Sequence, residues 1–285
     1  MKSISDTTQL FRHALTLTIF CLSGVIISAQ TKADNKLKNR DFCTQNNYSY
    51  NDKISHKESR EIKIPAGNLV NVNGQRNGSI RVRGENRSDV LIRACVQTVG
   101  STEEAARAAA KNIRIETGSE IRAEGAGDTT NWAVSYEIIV PRLSNLKLFT
   151  ENGGIGISSV EGTVEFEAVN GGVSLSDLAG DVKGTTQNGG LSVELIGASW
   201  RGRGLDVETT NGGVKLSIPE NYAAQIETGT VNGGFKSEIS QLNVEKTEKT
   251  RGGRINTNLN GGGAPIRVVT TNGGVKISSL LSKTL

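Results

Sequence analysis

This sequence predicts an all-β fold: a two-sheet parallel β-solenoid (superhelix) with Asn-Gly-Gly turns and one short helix. Three observations carry the prediction. First, the triplet Asn-Gly-Gly recurs at Asn152, Asn170, Asn188, Asn211, Asn232 and Asn272, in steps of 18, 18, 23 and 21 residues and a final double step of 40. A period of about 20 residues marks a stacked repeat in which each copy makes one coil. Second, apolar and charged residues alternate in columns around the triplets. Ile155, Val173, Leu191, Val214, Phe235 and Val275 follow the triplets directly, and Leu146, Val164, Val182, Leu205, Ile226 and Ile266 stand six residues before each Asn. One position after that second apolar column stand Lys147, Glu165, Lys183, Asp206, Glu227 and Arg267, all charged. Alternation with period two means strands with one face inward and one outward. Third, 34 glycines and only 35% hydrophobic residues suit a thin, turn-rich solenoid better than a thick core.

Each coil is then a strand before the triplet and a strand after it. The triplet turns follow from Gly and Asn, which tolerate positive φ. A second set of turns falls at Glu161-Gly162, Ala179-Gly180, Gly197 to Gly204 and Pro219-Glu220. Thr150, Ala168, Thr186, Thr209, Thr230 and Thr270 stand two residues before each Asn, placed to stack as a side-chain ladder. The charged column changes sign between most neighbours in chain order, which favours stacking modestly.

From the N-terminus, Lys2, Arg12 and His13 precede an apolar run over 14–27, and Ile27-Ser28-Ala29 offers a small-residue cleavage site before Gln30. Residues 1–29 therefore read as a secretory signal peptide, which makes the chain exported: periplasmic, cell-surface or secreted. The run is short against the about 20 residues of a membrane span, and its retention as an anchor is the alternative. Ile19-Phe20 ahead of Cys21 is not the small-residue context of a lipidated cysteine. Cleavage leaves Cys43 and Cys95, and an even count in an exported chain predicts a disulfide. On the chain-entropy model, closing that loop of about 50 residues stabilises by about 4 kcal/mol.

Residues 30–59 are polar throughout and read as a linker. Residues 60–145 read as an N-terminal β module with one helix. Within it, Asn77-Gly78-Ser79-Ile80 is a degenerate first copy of the triplet, carrying a bulge because the preceding column is out of register. Ser101 caps a helix over 101–111, Glu104 completes a capping box, and the Ala-rich body has high helix propensity. A lone helix on such a fold covers an open edge or end. Strands follow at 112–117, 120–124 and 132–140. The repeats occupy 146–285, with a divergent coil or hairpin at 236–264, and the strands at 266–270 and 275–279 close the C-terminal end.

The serial Asn-Gly-Gly-apolar coils, the run Leu205-Asp206-Val207-Glu208-Thr209-Thr210-Asn211-Gly212-Gly213 and the ending Gly261-Gly262-Gly263-Ala264-Pro265-Ile266-Arg267 resemble the putative-adhesin family of bacterial β-strand-repeat proteins, a domain of unknown function. The resemblance covers roughly 60–285 and departs from the family pattern at 236–264. It implies a pectin-lyase-like superhelix of the bacterial cell envelope, with no established catalytic residues and an adhesion role.

Chemistry is sparse. The net charge of +4 is mild, and its basic excess lies before the repeats: 19 Lys/Arg against 14 Asp/Glu over 30–150, but 12 against 14 over 151–285. Charges of both signs are interspersed, so no nucleic-acid footprint is read. After signal removal His56 is the one histidine, which argues against a Ser-His-Asp or Cys-His nucleophile and against a multi-histidine metal site. No cofactor or metal is expected. The triplets lack the Gly-Lys-Ser/Thr of phosphate loops and the Asp of calcium-binding repeats, so a stacked Asn ladder is their simpler reading. Asp177 and Asp181 flank one turn and are the only carboxylate pair placed to act together, although Asp is also an ordinary turn residue.

Trp200, Arg201 and Arg203 lie in the longest turn, with Tyr222 in the equivalent turn one coil on. An exposed aromatic-plus-Arg cluster there would contact a cell-surface glycan or an envelope protein; the opposing reading makes Trp200 a plug over the solenoid edge. The sequence thus predicts an exported, non-enzymatic binding scaffold. A polysaccharide-active enzyme and a purely structural or envelope-sensing module are the alternatives.

Overall fold

The computed structural model describes residues 42–45, 54–125, 131–242 and 252–280. The signal-peptide reading falls outside these residues. The chain divides into two units, Met1–Gln45 and Asn46–Leu285. Of the first, only the four-residue helix α1 (Phe42–Gln45) is described. The described residues of the second are all-β apart from a nine-residue helix and short 3₁₀ turns.

The second unit opens with β1 (Ile54–Pro65), β2 (Val70–Asn73), β3 (Ile80–Glu85) and β4 (Asp89–Gly100). Helix α2 (Glu103–Lys111), β5 (Arg114–Thr117), β6 (Ile121–Glu124) and β7 (Trp132–Pro141) follow. Strand pairs then flank each triplet: β8 (Leu146–Thr150) with β9 (Ile155–Ser158), β10 (Glu161–Ala168) with β11 (Val173–Ser176), and β12 (Ala179–Thr186) with β13 (Leu191–Glu194). Next come β14 (Gly204–Asn211) with β15 (Val214–Pro219) and β16 (Ala224–Asn232) with β17 (Phe235–Ser237). After β18 (Gly253–Leu259), the final pair is β19 (Pro265–Asn272) with β20 (Val275–Leu280).

These strands form two mixed ten-stranded sheets. The first runs β1-β4-β7-β3-β9-β11-β13-β15-β20-β17 and the second β18-β16-β19-β14-β12-β10-β8-β2-β6-β5. Pairs from β8 to β15 are parallel and in the register of the sequence columns, as in Val164↔Leu146 and Val173↔Leu191. The inward columns are buried in one apolar core, from Leu146 and Ile155 through Val182 and Leu216 to Ile266 and Ile277.

β1 begins at Ile54, inside the stretch read as linker. It is the edge strand of its sheet and alternates between partly buried and exposed residues, so it needs few apolar residues to be a strand. The extra residue of the degenerate first copy is absorbed in the turn rather than in a strand. There Gln75 takes a φ of 53°, and the Asn73 side chain accepts from the Gln75 amide at 2.9 Å. Helix α2 is capped by Thr102, not Ser101: the Thr102 backbone is extended and its Oγ1 accepts from the Ala105 amide. The helix buries Ala106 and Ala110. Thr98 Oγ1 donates to the Ala106 carbonyl, and Arg60 of edge strand β1 donates to the Ala110 carbonyl.

The C-terminal order differs from the serial expectation. β19 and β20 do not close the end; they lie between the coil of β14 and β15 and that of β16 and β17. The last 40-residue step is not two coils, because its middle is β18, which returns antiparallel along β16. The charged column gives the reason. In chain order it ends Asp206, Glu227, Arg267, which would set two carboxylates on adjacent strands. In space Arg267 lies opposite both Asp206 and Glu227, and the signs from Lys147 to Glu227 then alternate without exception.

Candidate functional site

The triplets build a spine. Five of the six Asn donate their side-chain amides to the Asn of the neighbouring strand at 2.9 Å: Asn170 to Asn152, Asn188 to Asn170, Asn211 to Asn188, Asn272 to Asn211 and Asn232 to Asn272. Positive φ is not why the triplets contain glycine, since none of their residues takes it. The reason is close stacking. A Cβ on Gly212 would stand 2.5 Å from the Gly189 carbonyl carbon and closer still to its oxygen; Gly273 over Gly212 and Gly233 over Gly273 repeat this. Left-handed backbone appears instead in the second set of turns, at Ser159, Asp177, Gly180, Gly197 and Gly202. The Thr column stacks in register, Thr186 beside Thr209, Thr209 beside Thr270 and Thr270 beside Thr230, but its hydroxyls bond to backbone and not to one another. Thr186, Thr209 and Thr270 donate to the carbonyls of Gly171, Gly189 and Gly212. A buried hydroxyl needs a partner, and the carbonyl beneath each one supplies it.

The long turn does not present an aromatic surface. Trp200 is 8% exposed, and its indole N–H donates to the Gly180 carbonyl at 3.0 Å. Tyr222 is 1% exposed; burial pushes its phenol up to about 12, with the Arg201 charge pulling the other way. The two turns do adjoin, through the Ser199↔Ala223 bridge. Both rings belong to the buried apolar core. What remains outside is Arg201, ion-paired with Glu161 at 3.1 Å, and Arg203, with Asp181 at 3.4 Å.

The carboxylate pair separates in the same way. Asp177 accepts from Arg142 and from Ser159 Oγ, while Asp181 faces Arg203 and Lys183. His56 lies on β1 beside Glu58. Cys43 and Cys95 are both disulfide-bonded, forming the predicted Cys43–Cys95 bond. Among the described residues no group of three or more metal-ligating side chains converges, and no helix is long and apolar enough to cross a membrane.

One column escaped the sequence reading. The position between the two apolar columns after each triplet carries Gly156, Ser174, Ser192, Lys215, Lys236 and Lys276. The signal was present, three lysines in the last three copies, but it stands out only when the outward positions are read as a row.

No curated protein matches the chain. Among solved structures it is similar to a "putative cell adhesion protein" from Clostridium sporogenes, at 12% identity over 78% of this chain and 100% of that one, with a TM-score of 0.40. A "putative adhesin" from Bacteroides fragilis shares 10% identity over 79% and 97%, with a TM-score of 0.38. Another from Parabacteroides merdae shares 9% over 79% and 96%, with a TM-score of 0.34. Likeness at this level carries no function across. A family profile does match, over residues 27–278, nearly the whole length: the chain belongs to the Toastrack DUF4097 family.

Proposed function

We propose that this chain is an exported, non-enzymatic parallel β-solenoid with Asn-Gly-Gly turns, acting in the bacterial cell envelope as an adhesin or binding scaffold. The observation that carries this reading is the unbroken parallel register of the outward columns from β8 and β9 to β16 and β17. Side chains repeat there at the strand spacing of about 4.8 Å, held by a backbone that the Asn and Gly columns lock together. Such a surface suits a long, repetitive partner. The Cys43–Cys95 bond supports an oxidising compartment outside the cytoplasm. Glu161 and Asp181 of the turns and Asp206 and Glu227 of the C-terminal charged column are engaged with arginines, an arrangement that serves stability and leaves them poorly placed for acid–base work.

The test is a glycan and cell-wall array probed with the mature protein beginning near Gln30. Retained, saturable binding with no release of new reducing ends is the expected result. Cleavage of an array polysaccharide would replace this reading with the enzyme, and silence across the whole array would remove the scaffold.

A further inference from the structure

We infer that the outer face of the first sheet, along Lys215, Lys276 and Lys236, binds an acidic polysaccharide carrying about one carboxylate or sulfate per sugar. This rests on the scaffold reading and names its ligand class. Lys215 pairs in register with Lys276, and Lys276 with Lys236, on the adjacent parallel strands β15, β20 and β17. All three are exposed, between inward neighbours such as Val214, Leu216, Val275 and Ile277. Three ammonium-bearing side chains therefore leave the sheet at neighbouring rungs about 4.8 Å apart.

Like charges directly opposite one another destabilise a sheet. On the second sheet the corresponding row escapes this by alternating sign, with the last coil inserted to keep the alternation. The lysine row has no such relief. Ser192, not an acid, is the rung beyond Lys215. Glu194 and Glu238 each stand two residues further along, and among the described residues none of the three lysines makes an ion pair. An anion from outside would remove the repulsion.

The surface beside the row is shaped for a flat ligand. A groove of about 510 Å³ is lined by Gly190, Gly213 and Gly274, with Lys215 and Lys276 alongside. The glycines hold no side chain above the backbone, so a sugar ring can lie against it. Spacing selects the polymer. An extended acidic peptide presents same-face carboxylates about 6.6–6.8 Å apart, out of step with the strands. A polymer charged once per sugar places a charge at about one strand spacing along its axis, and although successive groups turn about that axis, the long, flexible lysine stems can follow them.

The experiment measures polygalacturonate binding to the mature protein at low salt, with dextran and poly-glutamate as comparison polymers. The triple variant Lys215→Gln, Lys236→Gln, Lys276→Gln should weaken polygalacturonate binding about tenfold or more, without lowering the melting temperature. The charge-matched triple Lys111→Gln, Lys147→Gln, Lys183→Gln should bind as the parent does. Equal loss in both triples would reduce the effect to net charge and overturn the site. Poly-glutamate bound as tightly as polygalacturonate, and lost in the same triple, would overturn the polysaccharide assignment. Capture of neutral glycans alone, unchanged in the lysine triple, would sink this inference and leave the scaffold reading standing; no capture of any polymer or envelope preparation would sink both.

Discussion

Substituting alanine at each glycine of one triplet separates close stacking from backbone strain as the reason for the motif. Gly212 and Gly213 are sequence neighbours with φ outside the left-handed region. A Cβ on Gly212 meets the Gly189 carbonyl group, with its carbon 2.5 Å away, whereas one on Gly213 stands 3.3 Å from the Gly274 oxygen. The first contact falls about 1 Å short of ordinary carbon–carbon separation, and its partner is backbone that cannot rotate away. Restoring the distance moves β14 off β12. Bonds at risk are Asn211 N–H to Gln187 at 2.8 Å, Thr209 Oγ1 to Gly189 at 2.7 Å and Asn211 Nδ2 to Asn188 at 2.9 Å. A 1 Å shift takes all three past normal hydrogen-bond length. At about 1 kcal/mol per bond, plus about 1–3 kcal/mol for overpacking, Gly212→Ala should cost roughly 4–6 kcal/mol. For a unit of this size that lowers the melting temperature by roughly 8–24 °C. Gly213→Ala needs a shift of a few tenths of an ångström and gains from a stiffer unfolded chain, so its stability should stay within about 0.5 kcal/mol of the parent. Thermal and urea unfolding of both variants measure this. Equal losses at the two positions would refute the stacking argument.

Arg267→Gln removes the cation shared by Asp206, Glu208 and Glu227. It should destabilise by about 1 kcal/mol, with part of the loss disappearing at high salt; a salt-independent loss would mean that packing, not charge, holds β19 in place. Tyr136 carries a buried phenol with no hydrogen-bond partner among the described residues, and burial, aided by the Glu120 charge, raises its pKa. A phenol that holds its proton more tightly in the folded state stabilises fully below the ordinary value of about 10, and that contribution is lost as pH rises beyond it. Tyr136→Phe should therefore match or exceed the parent's stability at pH 7 and unfold less readily above pH 10, as followed by circular dichroism across pH. Trp200→Ala should cost about 3–5 kcal/mol through the cavity and the lost bond to Gly180, whereas Arg203→Ser, at a side chain 85% exposed, should leave the unfolding midpoint unchanged. A Trp200→Ala variant as stable as the parent would mean that the ring is not a plug.

The periodicity determined much of this protein before any coordinates. The inward columns, the strand on each side of a triplet and the stacking of Asn on Asn are all legible, because alternation and period report local geometry directly. Three things were decided only in the tertiary structure. Insertion of the last coil is a long-range choice, since strands joined by 30 or more residues can pair in several orders and only the misplaced sign of Arg267 hinted at the outcome. The reason for glycine lies in the backbone of the next coil, which no window of sequence contains. Trp200 and Tyr222 were legible as turn residues, but whether an aromatic ring faces water or fills the interior depends on the space left by neighbouring coils. The lysine row sits between these cases: its residues stood in plain view, and the pairing of β15, β20 and β17 made them one surface.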